Sequence, residues 1–186
     1  KEKFLQYLNH YIADLHWWPY GTDYEILNQV TTPYFDHFEQ KSLHLHLPWE
    51  YLKIQGMNHT AFVHASTCFE SALHCWLYIN LLFDPNGPMG NNRVDLPQDR
   101  LTRIIILGAG VSGLLAANKL RDLGYTNVKI LENTDRYGGK THTLPKDAPS
   151  PPHGSQGTIC ELGTCYLSPA YDEMVKDLAK FTTDVG

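Results

Sequence analysis

Arg103-Ile104-Ile105-Ile106-Leu107-Gly108-Ala109-Gly110-Val111-Ser112-Gly113 is the stretch on which the fold turns. Three consecutive isoleucines closed by Leu107 are a short β-branched run, the pattern of a strand buried on both faces. The three glycines that follow keep the spacing G-x-G-x-x-G. Leu114 to Leu123 are then good helix formers, and Gly124 supplies a C-terminal stop. Val128 to Leu131 reads as a second strand. Strand, glycine turn, helix and strand within about 30 residues make a parallel crossover unit.

The glycine spacing gains meaning from that position, directly after a strand and at the mouth of a helix. Gly108 allows the sharp turn, Gly110 lets backbone approach a pyrophosphate, and Gly113 lets helix and strand pack closely. The N-terminal N–H groups of the helix and their partial positive charge suit a phosphate. Glu132 closes the second strand 19 residues beyond Gly113. An acid at about that distance accepts hydrogen bonds from the ribose hydroxyls of an adenosine and disfavours a 2′-phosphate. A dinucleotide site is therefore expected. Four residues further on, Arg136-Tyr137-Gly138-Gly139-Lys140-Thr141 adds two glycines and two cations, a second loop suited to an anionic ligand.

Outside this unit the chain has a different texture. Asp84 to Asp99 is rich in Pro, Gly and Asn and reads as a linker, with a boundary near residue 100. Before it, Phe4, Leu5, Leu8, Tyr11, Ile12 and Leu15 mark one helix face, broken at Trp17-Trp18-Pro19-Tyr20-Gly21. A second short helix is expected near Tyr24 to Val30. Leu43, Leu45 and Leu47 alternate with His44 and His46, as in a short strand or an extended loop. Ala61 to Phe83 carries apolar residues at helical spacing and reads as one buried amphipathic helix. His64, Glu70 and His74 within it argue against a membrane span. After residue 143 come a Pro/Ser/Gly loop, a brief strand near Ile159 to Leu162, and a final helix. That helix is capped by Ser168 and started by Pro169, with Tyr171, Met174, Val175 and Leu178 on its buried face.

Composition sets the outer limits. A chain of 186 residues that is 42% hydrophobic can bury a core, and a net charge of −5 without a basic run excludes a cationic nucleic-acid face. The four cysteines, at 68, 75, 160 and 165, form no CxxC pattern, which points to free thiols and a cytoplasmic setting. His44 with His46, and His64 with Cys68 and Cys75, lack the closely spaced partners of a zinc site, so no metal is expected. Cys165 reads as a small buried hydrophobe.

The run ILGAGVSGLLAANKLRDLGYTNVKILENTDRYGGKTHT resembles the amino-terminal FAD-binding stretch of the flavin amine oxidase superfamily. That grouping takes in amine and amino-acid oxidases, phytoene-desaturase-like enzymes and FAD-dependent fatty-acid isomerases. Glu161-Leu162-Gly163 resembles the family's next element, where an acid-x-Gly strand meets the flavin. The resemblance covers residues 103–143 and 159–181 and implies an α/β fold: a Rossmann-type FAD-binding unit over 100–186, preceded by a mostly α-helical region over 1–99.

On that resemblance Gly108, Gly110, Val111, Ser112 and Gly113 would hold the pyrophosphate, and Glu132 the ribose. Arg136, Gly138, Gly139, Lys140 and Thr141 would lie along the diphosphate and ribityl chain, with Gly163 near the flavin. It also implies an FAD-dependent oxidoreductase passing hydride from an amine or amino acid to the flavin. The same half-site would serve a lipid isomerase or desaturase, or a non-catalytic scaffold. The family's substrate domain and returning carboxy-terminal segment have no room in the 73 residues after Gly113, so the chain reads as the amino-terminal part of a larger flavoprotein with its catalytic residues elsewhere, or as a heavily reduced relative.

Overall fold

The computed structural model describes residues 38–68, 71–89, 94–143 and 168–179. All of them belong to one compact unit, formed by 32–146 together with 157–186. The helices expected at Phe4–Leu15 and Tyr24–Val30, the strand at Ile159–Leu162, Gly163 and Cys165 lie outside the described residues.

In chain order the regular elements are α1 (Gln40–His44), α2 (Leu47–Lys53), α3 (Ala72–Leu82), β1 (Ile104–Leu107), α4 (Val111–Asp122), β2 (Val128–Leu131) and α5 (Asp172–Ala179). β1 and β2 pair in parallel, with Ile104 opposite Val128 and Leu107 opposite Leu131. The β-turn-α-β order is as the sequence predicts, and the described fold is a mixed helix and strand arrangement around a two-stranded parallel sheet.

The end of α4 shows how sequence sets an element's limit. Gly124, at φ +90°, donates its N–H to Arg121, and Tyr125 donates its N–H to Leu120. These two bonds are a Schellman closure, in which a left-handed residue after the helix turns the chain out. Tyr125 is 1% exposed, its hydroxyl donates to the Pro97 carbonyl, and Arg100 lies 4.5 Å from its ring centre. The residue that ends the helix is thus also a core anchor.

The core joins Cys75, Tyr78, Ile79 and Leu82 of α3 to Leu115, Ala116 and Leu120 of α4, with Ile106 of β1, Phe83 and Tyr125. Full burial of a side chain such as Leu82 contributes about 2 kcal/mol. Gln55 is the one buried polar side chain in that region among the described residues. It accepts the Phe62 N–H at 2.9 Å and donates to the Phe62 carbonyl at 2.8 Å and to the Tyr78 hydroxyl at 2.7 Å. This amide fastens the segment before α3 to α3 itself. Trp76 of α3 donates its indole N–H to Asp177 of α5 at 3.0 Å, and Met174 of α5 is buried.

Several expectations need correction. The helix read over Ala61–Phe83 begins only at Ala72, because the Ser71 hydroxyl accepts the His74 N–H and caps it there. Upstream, Ala65–Thr67 is a single 3-10 turn that ends at Cys68 with φ −136°. His64, Cys68 and Cys75 therefore share no helical stripe. The Leu/His alternation is no strand: α1 and α2 meet at His46, which adopts φ 56°. β1 is buried on one face only, with Ile106 inside and Leu107 81% exposed.

On α5, Val175 is 44% exposed where burial was expected. Part of the expected linker is tied down: Met89, Val94 and Leu96 pack on the core, and Val94 donates its N–H to Leu82. Among the described residues no helix is long and apolar enough to cross a membrane, and no three His, Cys, Asp or Glu side chains converge.

Candidate functional site

The candidate site forms where β1 and β2 end and α4 begins. Gly108 follows β1 at φ +98°, and Gly110 is the N-cap of α4 in extended backbone. No side chain caps the first turn of α4, and that turn holds no acidic residue. The N–H groups of Val111, Ser112 and Gly113 thus start a 12-residue helix whose positive end carries no anion of its own.

Gly113 is set by close approach. A methyl group on its Cα would stand 2.1 Å from the Gly108 carbonyl oxygen and 3.4 Å from Ile106. The helix therefore lies against the end of β1 at a distance that only hydrogen allows. This is the packing role the sequence assigned to the third glycine.

The second loop folds back onto the first. Gly138 forms a parallel bridge with Gly110, and its N–H donates to the Ala109 carbonyl at 2.8 Å. A Cβ on Gly139 would stand 3.0 Å from the Gly110 Cα, so the two glycine loops touch backbone to backbone. Residues separated by nearly thirty positions in the chain thus form one glycine-lined edge.

Glu132 locks that edge from the side. One carboxylate oxygen, Oε2, accepts the Ala109 N–H at 2.7 Å. The other, Oε1, accepts the Thr134 N–H and lies 2.9 Å from the Thr134 hydroxyl. The Ala109 N–H bond, then the Thr134 hydroxyl and N–H, hold the carboxyl down from its ordinary 4.5 to about 2. The group is ionised throughout the physiological range, as an acceptor for ribose hydroxyls must be.

Arg136 is turned onto its own loop. Its guanidinium donates to the Gly139 carbonyl at 2.7 Å and to the Thr141 carbonyl at 3.3 Å. In this arrangement it shapes the Gly138-Gly139 turn from within. Lys140 is exposed at the same turn, and Thr141 donates its N–H to Gly138. The structure thus brings together Gly108, Gly110, Val111, Ser112, Gly113, Glu132, Arg136, Gly138, Gly139, Lys140 and Thr141, while Gly163 lies outside the described residues. Sequence reading missed Thr134 and Ala109. Thr134 had a signal, a hydroxyl two residues after an acid, in the spacing at which side chains bond the local backbone.

The arrangement fits a dinucleotide. A helix N-terminus without its own cap, backbone free of Cβ atoms at Gly110 and Gly139, and an ionised carboxylate at the strand end are the parts such a ligand needs.

Comparison with known proteins points the same way. The model of the flavin-containing amine oxidoreductase family matches residues 111–184. The flavin-dependent L-tryptophan oxidase of Lentzea aerocolonigenes is 54% identical over 41 residues, covering 22% of this chain and 8% of that protein. Tryptophan 2-monooxygenase of Agrobacterium tumefaciens is 34% identical over 103 residues, 50% of this chain and 12% of its own length. The human flavin-containing amine oxidase B is 35% identical over 77 residues, 41% of this chain and 13% of that protein. The chain thus matches about a tenth of the length of these curated relatives. No solved structure matches it. From α4 onward, the chain is similar to the flavin-containing amine oxidoreductase family over residues 111–184, a likeness that implies FAD as the cofactor.

Proposed function

We propose that residues 103–143 are the adenosine-diphosphate end of a Rossmann-type FAD-binding unit, and that the chain belongs to a larger FAD-dependent oxidoreductase acting on an amine or amino acid. The observation that carries the reading is the joined edge of the two glycine loops, with Gly110 bridged to Gly138 and Glu132 bonded to Ala109 beside it. The family match and relatives named for tryptophan and amine oxidation support the reaction class.

In this reading the N–H groups at the start of α4 hold the diphosphate, and Gly110 and Gly139 let it approach the backbone. Glu132 accepts from the ribose, which selects an adenosine without a 2′-phosphate. Arg136 keeps the second loop in shape, and Lys140 and Thr141, with Gly163 further on, lie along the rest of the cofactor. FAD, when bound, supplies the hydride acceptor, while the protein binds and orients it. The described residues offer no acid or base that the geometry assigns to catalysis. The lipid isomerase and scaffold alternatives would use the same half-site, and the relatives named for tryptophan and amine oxidation favour the oxidase reading over them.

The test is the visible absorption spectrum of the purified chain before and after incubation with FAD, with bound flavin identified after denaturation. Retained FAD is the expected result. A colourless protein that takes up no FAD would contradict the proposal.

A further inference from the structure

The Thr134 hydroxyl has two acceptors and one proton. Its Oγ1 lies 2.9 Å from Glu132 Oε1 and 2.9 Å from the Arg136 carbonyl oxygen. A hydroxyl donates to one acceptor at a time. While it serves Glu132, Oε1 also takes the Thr134 N–H, so both of its lone pairs are occupied, and Oε2 takes the Ala109 N–H. A ribose presents two vicinal hydroxyls, and a carboxylate that accepts both, one on each oxygen, needs a lone pair released on Oε1.

Turning the Thr134 hydroxyl to the Arg136 carbonyl provides that lone pair and leaves the hydroxyl bonded. We propose that Thr134 is a positioning residue of the dinucleotide site. In the ligand-free chain its hydroxyl holds Glu132 against the glycine loop. On binding of an adenosine diphosphate group it turns to the Arg136 carbonyl, which opens Glu132 Oε1 to a ribose hydroxyl and ties the second glycine loop to the acid. This inference rests on the dinucleotide reading above. Its geometry agrees with the low titration of Glu132, to which the Thr134 hydroxyl is the second contributor after the Ala109 N–H.

The experiment is a calorimetric titration of the whole chain, native, Thr134→Val and Thr134→Ser, with ADP, 2′-deoxy-ADP and 3′-deoxy-ADP. Thr134→Val is expected to bind ADP as tightly as native or up to about tenfold tighter, because Oε1 is open before binding and no hydrogen bond to the charged carboxylate has to be broken, while Thr134→Ser stays within about twofold of native. The sharper readout is coupling. Removal of the ribose hydroxyl received by Oε1 should cost more in Thr134→Val than in the native chain, where the Thr134 hydroxyl stays on Oε1 in its place. Carbon NMR of the Glu132 carboxyl supplies a check without ligand, its titration rising in Thr134→Val and unchanged in Thr134→Ser. Native binding of ADP with strictly additive losses for both deoxy ligands would overturn the inference and leave the dinucleotide reading standing. A native chain that binds neither ADP nor FAD would overturn both.

Discussion

At Gly113 and Glu132 the site rests on contacts with no slack. Gly113→Ala places a methyl group 2.1 Å from a backbone oxygen, so α4 must move away from β1. The expected loss is about 3 kcal/mol, at the upper end for an overpacked core, read from denaturant unfolding. Glu132 has a folded pKa of about 2 against an ordinary 4.5, so the ionised form favours the folded state. Its contribution is complete above 4.5 and is lost as pH falls to about 2. Stability of the native chain should therefore fall across that window more steeply than stability of Glu132→Gln, and unfolding midpoints measured through the window check this. In the core, away from the site, Gln55 is held as closely. Gln55→Leu leaves the Phe62 backbone groups and the Tyr78 hydroxyl without their buried partner and should cost about 2–3 kcal/mol. Adding Tyr78→Phe should recover part of that loss, a non-additivity that a double-mutant cycle measures.

Among the elements, what was legible in the sequence was what local chemistry determines. The isoleucine run, the glycine spacing and Gly124 fixed β1, α4 and its stop to within a few residues, because burial, turn and cap each demand a particular side chain there. The limits of α3 were hidden: apolar spacing continues upstream of Ser71, and only the bond from the His74 N–H to the Ser71 hydroxyl shows where the helix starts. Ser71→Ala should cost about 1 kcal/mol, with amide exchange increased in the first turn of α3. The two short helices at 40–53 escaped notice because alternating Leu and His carry no helical period. The parts of the site made by contacts distant in sequence were hidden too. The Ala109 N–H bond to Glu132 joins residues 23 positions apart, and the turn of Arg136 onto its own loop follows from the fold of that loop.

Across the described unit, α3 and α4 share one core, so the helix that opens the glycine site is braced by residues on both sides of 84–99. The N-terminus of α4 is held by Gly113 against β1 and by Leu115, Ala116 and Leu120 in the core. In the proposed function, two loops far apart in the sequence make one cradle for FAD. Amide NMR of the labelled chain titrated with FAD tests it most directly. Concerted shifts are expected at Ala109 to Gly113, at Glu132 to Thr134 and at Gly138 to Thr141, saturating at one equivalent. Shifts confined to one loop, or an unchanged spectrum with FAD in excess, would contradict it.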